Sequence, residues 1–369
     1  MAGRALEEKR CSLAGMGEIK MLEFYKGKRV FVTGHTGFKG SWLCKMLLMA
    51  GAEVTGYALP PAEQSLYNLI GMEQQMSSIQ GDIRDLDSLK CAFDTAKPEI
   101  VFHLAAQPIV RESYRDPVGT YSTNVMGTVH ILECVRRSDS VKSFLNVTTD
   151  KVYENRRWPW GYRETDRLNG FDPYANSKSC SELVTDSYRN SFFSDGHVAV
   201  STARAGNVIG GGDFAADRII PDCIRAVQSG VSIQVRNPYS VRPYQHVLEP
   251  LSAYLLIAQR QYEDSSLSGS YNVGPDSRDC LTTGELAELF CKAWGAPARW
   301  EHTGDNGPHE DAVLRLGSSK IASVLGWRPR WNAERAIQET VFWTKAWLDG
   351  KDVNDCLEQQ IAGFLTQQV

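Results

Sequence analysis

Five side chains between positions 149 and 178 have the types and spacing for acid–base chemistry on a small molecule. Thr149, Asp150 and Lys151 follow the apolar run Lys142-Ser-Phe-Leu-Asn-Val-Thr148, and Tyr174 and Lys178 sit four apart in Tyr174-Ala-Asn-Ser-Lys178. Residues four apart on a helix share a face, so one pocket would receive both, and an ammonium beside the phenol would draw its pKa down from about 10. A tyrosine so tuned is a base. Taken alone, Y-x-x-x-K also arises by accident as a packed ring and a solvated amine. Its neighbours give it meaning: Thr149 can orient a substrate hydroxyl, and an acid–amine pair directly after it can supply and remove protons.

These groups need a scaffold that brings positions 149 and 174 to one edge. Arg29-Val-Phe-Val-Thr33 reads as a short strand running straight into Gly34-His-Thr-Gly37-Phe-Lys-Gly40, with a helix from 41 to 50. Strand, glycine turn, helix is the dinucleotide-binding arrangement, in which glycines admit a pyrophosphate to the backbone and the helix N-terminus offers free N–H groups. The turn assigns Gly34, Thr36, Gly37, Phe38, Lys39 and Gly40 to a cofactor. A second strand, 53–57, is followed by neither acid nor base before Ala62, so NAD is favoured over NADP by default and with a weaker grip. A third strand ends in Asp82-Ile83, placed near the adenine, and a fourth ends in Leu104-Ala105-Ala106-Gln107, whose small residues admit the cofactor closely. Helical spacing over 117–137 gives a crossover helix, and 198–203 a further strand leading into Arg204-Ala-Gly-Asn207.

The fold class is therefore α/β, a Rossmann-type doubly wound parallel sheet with a smaller mixed C-terminal substrate domain. Residues 1–26 are expected to form a mostly disordered extension, with Met21 an alternative natural start. Residues 27–212 are the cofactor domain, with a substrate-facing excursion near 155–170, and 213–369 are mainly the substrate domain, with possible returns to the sheet. Helices are expected at 219–229, 251–262, 283–294 and 333–348, and brief strands near 233–235, 245–247 and 270–273. Trp327, Trp331, Trp343 and Trp347 read as core.

Composition excludes several classes. The 369 residues carry a net charge of −4, 42% hydrophobic and 23% charged residues, and no apolar run near the roughly 20 residues that span a bilayer. Neither a membrane nor a nucleic acid is the expected partner. Nine scattered cysteines without C-x-x-C and the lack of a secretory h-region point to a reducing compartment, the cytoplasm. No metal-ligand spacing occurs, and no metal is expected. A kinase-type site is excluded because no G-K-[ST] follows the glycines.

With Thr33-Gly34-His-Thr-Gly37-Phe-Lys-Gly40, Gly81-Asp-Ile-Arg-Asp85, His103-Leu-Ala-Ala-Gln107, Thr148-Thr-Asp-Lys-Val-Tyr153, Tyr174/Lys178 and Arg204-Ala-Gly-Asn207 together, the chain resembles the extended short-chain dehydrogenase/reductase family, in its nucleotide-sugar 4,6-dehydratase branch. Asp150 is followed by Lys151 where members acting on dTDP- and GDP-sugars carry Asp-Glu, which is similar to the members acting on CDP-sugars. The resemblance implies bound NAD and a redox-neutral reaction: hydride leaves C4, water is lost across C5 and C6, and hydride returns to C6. It implies Tyr174 as base with Lys178 and Thr149, Lys151 removing the C5 proton or serving in binding, and Asp150 protonating the C6 hydroxyl. Those two roles require a protonated Asp150 and a neutral Lys151, and so a strong effect of burial. Gln107, Thr149, Asn207, Arg218, Arg242 and His309 are the implied nucleotide-sugar contacts, with His246 a further candidate, and a homodimer or higher homo-oligomer through the helices at 117–137 and 174–190 is implied. An epimerase or reductase of the same fold, a 4,6-dehydratase for another nucleotide sugar, and a non-catalytic NAD-binding module are the competing readings; the first and the last have no need of the Asp150-Lys151 pair.

Overall fold

The computed structural model describes residues 22–304 and 313–367. Seven strands form one sheet: β1 (Arg29–Thr33), β2 (Glu53–Ala58), β3 (Ser77–Gln80), β4 (Ile100–His103), β5 (Ser143–Thr148), β6 (Ala199–Arg204) and β7 (Ser270–Asn272). Their order is β3-β2-β1-β4-β5-β6-β7, and every pairing is parallel. Strand order reverses between β1 and β4, and ligands of such sheets bind outside the carboxyl ends at that switch point. β5 and β6 are buried at every residue, as expected for strands covered on both faces.

Helix α1 (Phe38–Met49) covers one face, sinking Trp42, Leu43, Met46 and Leu47 completely, which stabilises the fold by ~1.5–3 kcal/mol for each large side chain. Helices α2 (Leu86–Ala96) and α3 (Gly127–Arg136) cover the other, with Leu89, Phe93, Ile131 and Val135 in a second core. Helix α4 (Pro173–Phe192) starts where Asp172 accepts from the Ala175 N–H and Pro173 occupies the first turn. A third core, containing Ile209, Ile233, Phe290 and Val341, joins α5 (Ile219–Gln228), α7 (Thr283–Trp294) and α8 (Ala333–Leu348). Helix α6 (Leu248–Glu263) instead packs with α1 beneath the sheet, and the chain then supplies β7, so the C-terminal half does return to the sheet.

The structure departs from the sequence reading in several places. Residues 22–25 are helical, Tyr25 is buried and its hydroxyl donates to the Leu255 carbonyl at 2.7 Å, so the order begins ahead of position 27; residues 1–21 lie outside the described residues. The expected crossover helix is three pieces, Pro117–Tyr121, a π-helical turn Ser122–Met126, and α3. Segment 155–170 packs its Tyr162 against Leu314 and Leu316 rather than onto the cleft. A helix α9 (Val353–Thr366) and a strand Trp300–His302 were not anticipated. Trp327, Trp331 and Trp343 are core, and Trp347 packs against it half-buried.

Candidate active site

A cleft of about 570 Å³ opens at the carboxyl edge of the sheet, between the glycine turn and the loops leading to α5 and α7. That volume suits a small-molecule or cofactor site. Its floor is the β1–α1 turn. Gly34 has φ +76°, and a Cβ there would lie 2.8 Å from the Ala105 nitrogen, while a Cβ at Gly40 would overlap the Gly34 carbonyl oxygen. Only glycine lets turn and helix close this tightly. No side chain caps α1 at Gly37, and Gly37, Phe38, Lys39 and Gly40 all line the cleft, leaving first-turn N–H groups toward it. The cradle fits a dinucleotide pyrophosphate. Thr36, whose hydroxyl donates to the Leu59 carbonyl at 3.0 Å, ties the turn to the end of β2.

The adenine end is bounded by Asp82, Ile83 and Arg84. Arg84 donates through Nε and Nη2 to the Asp82 carboxylate at 3.0 and 2.6 Å, and this guanidinium holds the carboxyl below its usual range. Sequence reasoning found no cation for a 2′-phosphate after β2; the structure brings one from beyond β3, with its charge already matched by Asp82. Leu104, Ala105 and Ala106 line the cleft as expected, positioned because the Thr33 hydroxyl accepts from the Leu104 and Ala105 N–H groups at 3.2 and 3.1 Å. Gln107 does not line it. Its side chain is bound to Ile109 and Thr120, and its backbone to Asn124 on the π-helical turn, which also donates to Ser177 of α4 at 2.8 Å. Gln107 and Asn124 thus fix the loop and α4 against each other.

At the centre, Thr149, Asp150, Lys151, Tyr174 and Lys178 all line one cleft. Asp150 is buried, and its two carboxylate oxygens accept from the Thr149 hydroxyl and the Asn207 amide, each at 2.9 Å. Gly206 leaves the space: a Cβ there would overlap the Asp150 carboxylate. Asn207 itself has φ +50°, a conformation that asparagine tolerates better than most residues. Behind this wall, buried Glu182 of α4 pairs with Arg204 at 2.8 Å and accepts from Thr202 at 2.7 Å and from Thr148. Breaking such a buried pair from one side leaves a stranded charge, so the ends of β5 and β6 are held firmly to α4.

The Tyr174–Lys178 geometry corrects one expectation. Lys178 Nζ donates to the Val147 carbonyl at 3.1 Å, and burial pushes its pKa down to about 8. Burial raises the Tyr174 phenol to about 12, the Thr149 hydroxyl and Arg218 pulling it back and the Asp150 charge adding to the rise. The four-residue spacing does bring both to one face, but the longer lysine reaches β5 instead of tuning the phenol directly. Lys39 shares this electrostatic neighbourhood: burial and Arg218 bring it down to about 8 against the opposing charge of Asp150.

Of the expected substrate contacts, Asn207, Arg218 and Arg242 line the cleft. Arg218 donates to Asp213 at 3.0 Å, and Arg242 is buried, with Nη1 on the Val241 carbonyl at 3.0 Å. His246 is core, its ring between Trp42 and Trp331, and His309 lies outside the described residues. Arg111, Asp217 and Arg236 also line the cleft and were missed, since they lie over 120 positions with no local motif. Among the described residues, no three His, Cys, Asp or Glu side chains gather as a metal site requires.

A parallel sheet with a glycine turn at its switch point and a tyrosine–lysine helix facing it is a short-chain dehydrogenase/reductase of the extended type. More narrowly, residues 31–340 match the family described as GDP-mannose 4,6 dehydratase, and the chain belongs to that family. It is 49% identical over 350 residues to a CDP-glucose 4,6-dehydratase of Salmonella typhimurium, covering 93% of this chain and 98% of that one. It is 28% identical to the dTDP-D-glucose 4,6-dehydratase of Bos taurus, over 86% of this chain and 88% of the other. Among solved structures, a Thermus thermophilus UDP-glucose 4-epimerase complex with NAD superposes with a TM-score of 0.73 at 25% identity, covering 85% of this chain and 98% of that one. A dTDP-glucose 4,6-dehydratase from Streptomyces venezuelae with NAD superposes with 0.75 at 24% identity, covering 88% and 98%. Fold alone therefore does not separate dehydratase from epimerase.

Proposed function

We propose that this protein is a CDP-glucose 4,6-dehydratase using NAD, converting CDP-glucose to CDP-4-keto-6-deoxyglucose and water. The observation that carries the reading is the buried Asp150 with Lys151 beside it, in the same cleft as Tyr174 and Lys178: a 4-epimerase has no use for a second acid–base pair. The 49% identity to a CDP-glucose 4,6-dehydratase over nearly the whole of both chains supports the same substrate.

The residues of the β1–α1 turn, with Asp82, Leu104, Ala105 and Ala106, would hold NAD. When bound, NAD would supply the acceptor for the C4 hydride and the donor for its return to C6. Tyr174 takes the C4 hydroxyl proton, with Thr149 orienting that hydroxyl. A phenol near 12 is a poor base at neutral pH, and cationic charge in the cleft has to bring it down; Arg218 already acts in that direction. The 4-ketone acidifies C5–H, Lys151 removes that proton, and Asp150, aimed by Thr149 and Asn207, protonates the C6 hydroxyl, which leaves as water; Lys151 then returns its proton to C5 as C6 regains the hydride. Arg242 and Arg218 neutralise the diphosphate. The exposed apolar side chains of Val118, Met126 and Leu183 support assembly of a homodimer through the 117–136 and 173–192 helices. No helix among the described residues is long and apolar enough to cross a membrane, and the eight described cysteines are free, consistent with a cytoplasmic enzyme.

The test is incubation of the NAD-supplemented protein with CDP-, dTDP-, GDP- and UDP-glucose separately, following the 4-keto-6-deoxy product. CDP-glucose is expected to react fastest. A 4-epimer, or no product from any of the four, refutes the proposal.

A further inference from the structure

Arg111, from the short helix Val110–Arg115 after β4, and Arg236, which follows the strand Ile233–Val235, converge on one oxygen of Asp217 at 3.6 and 3.4 Å. All three line the substrate cleft, and each side chain is about one-third exposed, at 30%, 36% and 34%. They come from both sides of the cleft and from chain segments far apart. Two guanidiniums turned on one anionic oxygen make an anion site, and here a carboxylate of the protein fills it. At these distances and this exposure the carboxylate is a weak, screened partner. A phosphate oxygen meets a guanidinium better, with bidentate hydrogen bonds and more charge.

We propose that Arg111 and Arg236 form a second anion site for the diphosphate of the nucleotide sugar, with Asp217 as the internal occupant that the substrate displaces. The inference rests on the nucleotide-sugar reading above. Charge balance favours the diphosphate over the base: its two phosphates carry two negative charges, Arg218 is already shared with Asp213, and a neutral cytosine has no charge to replace a carboxylate. Displacement also sets a sign. Removing Asp217's charge while keeping its shape takes away a competitor, so nucleotide should bind tighter, whereas a residue that merely holds the arginines in place would on removal make it bind more weakly.

The experiment is calorimetric titration of the NAD-loaded protein with CDP and, separately, with cytidine, for the parent, Arg111→Met, Arg236→Met and Asp217→Asn, each checked for a parent-like thermal melt. A conservative Arg236→Lys stands in should the methionine variant fail to fold. Each arginine variant is expected to lose about tenfold to a hundredfold in CDP affinity, with cytidine affinity nearly unchanged and KM raised more than kcat falls. Asp217→Asn is expected to bind CDP several-fold tighter. Weaker CDP binding by Asp217→Asn, or equal losses for CDP and cytidine in the arginine variants, overturns the proposal. A parent that binds no CDP and turns over no nucleotide sugar refutes the functional reading instead; inorganic pyrophosphate then takes the place of CDP, and its binding must fall in the arginine variants if the anion site is real.

Discussion

Gly206→Ala is a single added methyl that reaches the elimination chemistry without replacing a catalytic side chain. Gly206 is outside the left-handed region, so alanine is compatible with its backbone. The methyl would overlap the carboxyl carbon and both oxygens of Asp150. Recovering a van der Waals separation of roughly 3.5 Å takes a displacement of more than about 1 Å. The carboxylate is held by two bonds of 2.9 Å, from Thr149 and Asn207, and such a shift carries both beyond hydrogen-bonding range. Each bond contributes about 0.5–1.5 kcal/mol, so an aimed carboxyl becomes a loosely placed one. Loss of a positioned acid typically costs about 10²–10⁴ in rate, and product formation should fall by that order. Oxidation at C4 depends on Tyr174, Lys178 and Thr149 and should survive, so reduced nicotinamide, transient in the parent, should accumulate toward one equivalent per site. Stopped-flow absorbance of the reduced cofactor together with product analysis reads both, and Asp150→Asn should behave alike. Parent-like product formation in Gly206→Ala, or equal loss of both half-reactions, refutes the assignment of Asp150 to the elimination step.

Two further outcomes are expected. Tyr174→Phe should keep the fold and the melting temperature while lowering turnover by roughly 10² to 10⁴, and near-parent turnover would remove the phenol from the mechanism. His35, His103 and His246 are buried, and burial lowers their pKa values to about 4, 3 and 3 from the usual 6.5. Between those values the unfolded chain binds protons that the folded chain refuses, so stability is full above about pH 6.5 and falls as pH drops, by up to about 1.4 kcal/mol per pH unit for each histidine. A melting temperature flat from pH 7 to pH 5 would contradict this.

Legibility in the sequence followed locality. β1 was read to the residue because an apolar run ends in a glycine turn, and the site residues from Thr149 to Lys178 are each part of a short pattern. β3 was read through Ile83 yet ends at Gln80, and beyond it Gly81 lies against the Tyr57 ring contributed by β2, a neighbour that only the folded chain supplies. The π-helical turn has no pattern of its own; it exists where Asn124 must reach both Gln107 and Ser177. The strand Trp300–His302 is only three residues, defined by its pairing with Ile233–Val235, and α9 was overlooked although Val353, Leu357, Ile361 and Phe364 repeat at helical spacing. The arginines around Asp217 are invisible for the same reason: only the folded chain makes them neighbours.

The return of the chain to the sheet has a consequence for its synthesis. β6 pairs with β5 on one side and with β7 on the other, and β7 is made some seventy residues after β6. On the ribosome, the half that carries the glycine turn and the Tyr174 helix therefore emerges first with β6 as an open edge and with the face that α6 covers still bare. An unpaired edge beside exposed apolar surface is a template for pairing with other chains. The nascent protein stays in that vulnerable state until Ser270–Asn272 has left the exit tunnel, so its exposure to wrong pairing is set by the order of the strands along the chain.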